Sequence, residues 1–444
     1  MTQKKASKNS TGIQGDVRLV MSEPNGPVEG QKAVLFPNVS IFDGTSETLK
    51  KEMHVLVVDN KITKISKEPI KAEPGTTVLK TTPGQVLMPG LIDAHYHLNA
   101  SRISQANLMG QHESYMYAMT IAECENNLMQ GVTTVRDMAG PLYGIQKAID
   151  EDDLKGPRIY VCGPMISQIG GHGDFRSKGQ LANDKVAMSG TTAVTTGADG
   201  VMAEAREAMR LGASFIKIAI SGGYASPTDP ILGCQFSLAE MKAAVEVATD
   251  YGTYVAAHGY SVEAVNRALD AGVISIEHGH LIDEATMERM AKMGAWLSTQ
   301  PFTDRSHPWF SDIQNEKMSQ VADGCDLLFE TAKKIPELNV AWGSDLFFSR
   351  DETDQHVAEQ LCNRMQRWYT PAQALKLATG NAGRCCKLAG RCDPYPGKLG
   401  VIEEDAYADV LLVQGNPLEK LEVIGDRDNL KIIMKDGKIY KNTL

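Results

Sequence analysis

His95 and His97 stand one residue apart at the end of an apolar run, Leu87-Met88-Pro89-Gly90-Leu91-Ile92-Asp93-Ala94. Side chains on a strand alternate faces, so both imidazoles point the same way and can grip one metal ion. Four later runs carry residues of matching chemistry. Phe215-Ile216-Lys217-Ile218-Ala219 holds a lysine between apolar neighbours, and Ala256-Ala257-His258-Gly259 ends in a histidine. Ile276-Glu277-His278-Gly279-His280 offers two more histidines, and Trp342-Gly343-Ser344-Asp345 ends in a carboxylate. Lys217 is the odd member. A buried ammonium is costly to desolvate and repels nearby metal cations. It is therefore salt-bridged or chemically converted. An uncharged lysine amine adds CO2 to form a carbamate, whose two oxygens could bridge two metal ions. The company of the other ligand-type residues favours the carbamate.

Positioning these side chains together takes parallel strands. From Val86 to about Gly390, apolar and β-branched runs alternate with amphipathic stretches, the pattern of βα units. Eight strands are expected: Val86–His97, Val132–Asp137, Arg158–Gly163, Phe215–Ile220, Tyr254–His258, Ile274–His278, Trp296–Thr299 and Val340–Asp345. Helices are expected over Tyr115–Met129, Met202–Leu211, Leu238–Asp250, Val262–Ala271 and Glu284–Met293, and around Glu352–Trp368. Eight such units close into a (β/α)8 TIM-like barrel, an α/β fold whose active site lies at the C-terminal strand ends. That barrel would span residues 86–393. Short β-like runs flank it on both sides, punctuated by Asp43-Gly44, Asp59-Asn60 and Asp436-Gly437. They imply one small β-sandwich domain built from residues 31–85 and 394–444. Residues 1–30 are polar and aperiodic and read as a flexible arm.

Composition narrows the function classes. The chain has 444 residues and a net charge of -10, with no basic stripe for nucleic acid. No run of 18 or more apolar residues exists, so no transmembrane helix is expected. The first 30 residues lack the apolar core of a secretion signal. A cytoplasmic protein is the expectation, although a secreted chain whose leader had been removed would read the same. The eight cysteines are scattered, with no CxxC pair, and read as reduced thiols. No glycine-rich dinucleotide fingerprint stands between a strand and a helix.

From about Ala33 onward, these motifs together resemble the amidohydrolase superfamily, in its binuclear, carboxylated-lysine branch. The resemblance implies that His95, His97 and Asp345 hold one metal ion and that His258 and His278 hold a second. Carboxylated Lys217 would bridge them, and zinc is the usual metal. His280 would stand behind the ligands. Within the superfamily the sequence is most similar to the prolidase-like and imidazolonepropionase-like group. This group includes Xaa-Pro dipeptidases, carboxypeptidases and ochratoxinase-type amidases. Gly170-Gly171-His172-Gly173-Asp174 and Ser221-Gly222-Gly223-Tyr224-Ala225-Ser226-Pro227-Thr228-Asp229-Pro230 carry that likeness. It implies that His172 contacts the scissile carbonyl or the product carboxylate, or else only shapes its glycine-rich turn. Tyr224 would contact the carboxylate. Homo-oligomers are common in this group.

The expected chemistry is hydrolysis of an amide or peptide bond next to a C-terminal carboxylate. A metal-bridged hydroxide would attack, with Asp345 as general acid and base. Substrates would be dipeptides or N-acyl amino acids. The rivals are a deaminase or cyclic-amide hydrolase of the same superfamily, and a non-catalytic scaffold. Mononuclear deaminases generally lack the lysine and carry a glutamate near the fifth-strand histidine. Here Lys217 is present, and Gly259-Tyr260-Ser261 follows His258. A scaffold would have no need of all six ligand positions. Arg136 and Asp137 are expected to form a salt bridge across the barrel mouth. Phe302–Phe310 and Phe347-Phe348-Ser349-Arg350 should shape the pocket, with Arg305 or Arg350 available to pair with a substrate charge.

Overall fold

The computed structural model describes residues 33–104, 111–176, 179, 190–308, 310–350 and 352–444; the expected arm lies outside them. Five strands come first: β1 (Ala33–Ile41), β2 (Lys50–Val58), β3 (Lys61–Ser66), β4 (Thr76–Val78) and β5 (Gln85–Pro89). The parallel strands follow: β6 (Leu91–Tyr96), β7 (Val132–Asp137), β8 (Arg158–Val161), β9 (Met165–Gln168), β10 (Thr192–Thr195), β11 (Ile216–Ala219), β12 (Val255–Ser261), β13 (Ser275–Leu281), β14 (Trp296–Thr299) and β15 (Asn339–Trp342). Three strands close the chain: β16 (Val410–Gln414), β17 (Leu430–Lys435) and β18 (Lys438–Asn442).

The first five and last three strands form one mixed sheet, ordered β18-β17-β16-β5-β1-β2-β3, with β4 beside β1. The strands expected as a small β-sandwich are hydrogen-bonded into this one sheet. Its two ends approach each other at their turns, where Asn60 Nδ2 donates to Asp436 Oδ1 at 3.1 Å. Alternation divides the central strands between two cores. Leu411 and Val413 face the helix-flanked body, while Val410 and Leu412 face a core of their own with Phe36, Val55 and Ile432.

The parallel strands form two sheets, β6-β7-β8 and β10-β9-β11-β12-β13-β14-β15. Backbone bonds tie both seams: Ser214 N donates to Val161 O, and Asp345 N donates to His95 O, each at 2.7 Å. The apolar run expected as one strand, Val86–His97, is two. β5 pairs with β16 in the small sheet and β6 with β7, and between them Gly90 N donates to Asp409 O at 2.8 Å. The third expected strand stops at Val161, and β9 and β10 add two strands that were not expected.

Helices Val262–Ala271 and Glu284–Met293 lie where the spacing places them. Leu238–Tyr251 opens on a reciprocal cap between Ser237 and Glu240 and closes at Gly252, φ 76°. Among the helices that were not anticipated are Tyr143–Asp150 and the 21-residue Asp312–Ala332. The segment expected as a helix around Glu352–Trp368 winds irregularly, with a wide π-type stretch over Val357–Arg364 between short 3-10 turns.

Candidate metal centre and active site

Two of the ligand-type residues sit in backbone conformations that side chains rarely adopt, His278 at φ 75° and Asp345 at φ 50°. Strain of this kind persists only where the surroundings enforce it, and it gathers at functional sites. Asp345 lies three residues beyond β15, where its carboxylate turns back over β6. Its Oδ1 is 3.2 Å from His95 Nε2 and 3.0 Å from His97 Nε2. Gly343 permits this approach, because a Cβ there would stand 2.5 Å from His95 Cβ.

The remaining rings gather beside this pair. His278 lies 4.7 Å from His95 and 4.6 Å from His258 between ring centroids. Potential ligand atoms of His95, His278 and Asp345 all fall within 4.8 Å of one another. Three of the histidines, His95, His278 and His258, are oriented by a hydrogen bond from one ring nitrogen, as metal-binding imidazoles are. His95 Nδ1 donates to Glu277 Oε2 at 2.8 Å, and His278 Nδ1 to Gln300 Oε1 at 2.8 Å. His258 Nε2 donates to the Gly222 carbonyl at 3.2 Å. Burial drives His258 and His278 well below the ordinary histidine range, which keeps both neutral and able to act as ligands. Burial opposes ionisation of Asp345, but the adjoining His95 and His97 overcome it and hold the carboxylate below its usual range.

Lys217 lies 1% exposed on β11, and its Nζ has no hydrogen-bond partner among the described residues. Burial lowers its pKa to about 8. A salt bridge is therefore not what accommodates this amine. An orphaned, partly deprotonated lysine among imidazoles fits the chemistry of CO2 capture. The donor set itself, four histidines and an aspartate, fits divalent metal ions.

His97, Lys217, His258, His278, Asp345, His172 and Tyr224 line one cleft, together with His95. His172 stacks on His258 at 4.0 Å and 11°, and its Nδ1 is 2.9 Å from Ser226 Oγ. A Cβ on Gly223 would stand 2.2 Å from the His172 ring, so only glycine lets the two loops meet. Burial lowers His172 to about 4. The rest of the wall is uncharged among the described residues, including Phe175, Tyr260, Phe347 and Phe348.

Several expectations change here. Arg136 does not pair with Asp137. Neighbours on a strand point to opposite faces, so Arg136 turns inward to bond Glu277, the Ala94 carbonyl and Cys385 Sγ. Asp137 instead accepts from the Leu98 and Ala139 amides. Arg305 is an exposed partner of Asp323, and Arg350 is exposed; neither lines the cleft. Phe302 stands behind Tyr224, edge-on at 5.4 Å, and His280 donates from Nε2 to the Gln300 carbonyl behind the rings. Sequence reasoning gave no role to Glu277, Ser226 or Tyr260. Tyr260 alone had a signal, since it lies two residues beyond His258 and shares its face.

A model of the amidohydrolase family matches residues 86–440, and the chain belongs to that family. By that membership it is a hydrolase of amide or peptide bonds, with relatives of the prolidase-like and ochratoxinase-type group. The ochratoxinase of Aspergillus niger is 29% identical over 375 residues, 80% of this chain and 76% of that protein. A solved prolidase complexed with N-methylphosphonate-L-proline superimposes with a TM-score of 0.84 and 29% identity, over 93% of this chain and 100% of that one. A Xaa-Pro dipeptidase with bound methionine in its active site gives 0.79 and 26%, over 92% and 100%.

Proposed function

We propose that this protein is a binuclear metal-dependent amidase acting on an amide or peptide bond next to a free C-terminal carboxylate. Its two parallel sheets would be the halves of one TIM-type barrel. The observation that carries the reading is the buried Lys217 amine, without a hydrogen-bond partner among the described residues, in a cleft lined by five histidines and an aspartate. His95, His97 and Asp345 would hold one ion, His258 and His278 the other, with carboxylated Lys217 shared between them. Nitrogen and oxygen donors of this kind suit zinc. When bound, two such ions polarise a carbonyl and make water nucleophilic at neutral pH.

The chain's own residues supply the remaining steps. Asp345 takes a proton from the attacking water and delivers it to the leaving nitrogen. His172 contacts the scissile carbonyl or the product carboxylate, and Tyr224 contacts that carboxylate. The aromatic wall limits the access of bulk water. The ligand of the prolidase relative supports this polarity, since it joins a tetrahedral phosphorus to the nitrogen of a proline with a free carboxylate. The test compares an N-acyl amino acid with its methyl ester. Blocking the carboxylate should raise KM strongly or abolish turnover, and equal rates on both would refute the reading.

A further inference from the structure

Helix Asp312–Ala332 sends two side chains, one turn apart, into the loop that follows β11. Lys317, 5% exposed, donates from Nζ to the carbonyls of Gly223 at 2.6 Å, Ser226 at 2.5 Å and Asp229 at 3.1 Å. Asp229 Oδ1 stands 3.8 Å away. Gln314 Nε2 donates to the Ala225 carbonyl at 2.6 Å. An ammonium has three N–H donors, and here three carbonyls take them all. Lys317 does not line the cleft, but the residues it gathers do: Tyr224 and Ala225 lie on the wall, and Ser226 Oγ meets His172. Without the cation, three carbonyl dipoles would converge on one buried point, with the Ser226 hydroxyl left as a donor to the Gly223 carbonyl alone.

We propose that Lys317 is the positioning residue of the substrate loop: its ammonium gathers the Gly223, Ser226 and Asp229 carbonyls and so holds Tyr224 and, through Ser226, His172 against the substrate. This rests on the reading of His172 and Tyr224 as substrate contacts. A displaced contact weakens substrate binding without touching the metal ligands, and misplacements near 1 Å cost up to about a hundredfold.

The test uses the metal-loaded Lys317→Met variant. Hydrogen–deuterium exchange should rise in peptides spanning residues 221–233. KM for an N-acyl amino acid turned over by the wild type should rise on the order of ten- to a hundredfold, with kcat and metal content little changed. Methylammonium should partly restore KM in Lys317→Ala by filling the vacated cage. Unchanged exchange and KM in folded Lys317→Met would overturn the proposal. Raised exchange with unchanged KM would overturn it too, and Tyr224→Phe and His172→Asn then locate the fault. If both are also silent, the reading of those two contacts has failed; if either raises KM, only the role of Lys317 has. Should Lys317→Met not fold, Gln314→Leu takes its place and must raise exchange and KM in the same direction, by less. No change in either would overturn the proposal.

Discussion

Lys217→Ala removes the amine that CO2 would cap, so metal content should fall together with activity. A short carboxylic acid in solution should restore part of both by occupying the vacated space. Full metal content and full activity in this variant would exclude the carbamate. Asp345→Asn separates the other role, because it keeps the shape and one oxygen ligand but cannot accept a proton. It should retain much of its metal while kcat falls on the order of 10²–10⁴, the contribution of a positioned acid and base. Elemental analysis beside kcat decides both cases. The lowered Lys217 pKa adds a pH dependence. CO2 adds to the free amine, so metal-depleted enzyme given divalent metal at a fixed concentration of dissolved CO2 should regain activity faster above pH about 8 than below it. A rate independent of pH would count against the amine as the reacting group. Both residues stood out in their runs, although a lysine inside an apolar strand reads by itself as a salt-bridged one, and only the company of the other ligand-type residues turned the reading to a carbamate.

Arg136 on β7 and Glu277 on β13 are buried partners, and Glu277 holds His95 on β6. Three strands are thereby locked through one charge pair beside the metal centre. Burial raises the Glu277 carboxyl, but Arg136 and Lys217 outweigh it and keep it ionised. Arg136→Leu would leave that carboxylate buried without its guanidinium, with only His95 and Ser275 still donating to it, a change costing about 3–5 kcal/mol. Urea unfolding should show the loss, and a variant as stable as wild type would remove the pair from the account. Half of this arrangement is written in the sequence. Alternation already forbids Arg136 and Asp137 from sharing a face, whereas Glu277 is 141 residues away and no local pattern points to it.

Arg158, at the start of β8, joins the helix-flanked body to the small sheet. Its Nε and NH2 donate to Asp409 at 2.8 Å and Asp436 at 2.7 Å, and its guanidinium lies 4.1 Å from the Tyr407 ring. Burial raises the Asp436 pKa, yet Arg158 and Asn60 overcome this and leave it below the ordinary value. A carboxyl depressed in the folded state stabilises fully above its unfolded pKa of about 3.9, and that stability is lost as pH falls through the folded value. Arg158→Leu should therefore lower stability at neutral pH and flatten the acid limb of a melting-temperature profile below pH about 4. An unchanged acid limb would show that Asp436 does not depend on Arg158. At the same scale we expect a homo-oligomer, so light scattering at micromolar protein should exceed the monomer mass. Elemental analysis should give about two divalent ions per chain, the count of a two-metal hydrolase.

Strand periodicity and spacing determined, from the sequence alone, which residues stand near the ends of parallel strands. That was enough to bring His95, His97, Lys217, His258, His278 and Asp345 into one set, because direction along a strand is a local property. The tertiary structure decided what faces each of them. It divided residues 85–96 between two sheets, because β5 found a partner in β16 more than 300 residues downstream. It gave Arg136 to Glu277 and Lys317 to the carbonyls of Gly223, Ser226 and Asp229. Such pairings follow from which surfaces pack together, and packing joins residues whose separation along the chain carries no periodic trace.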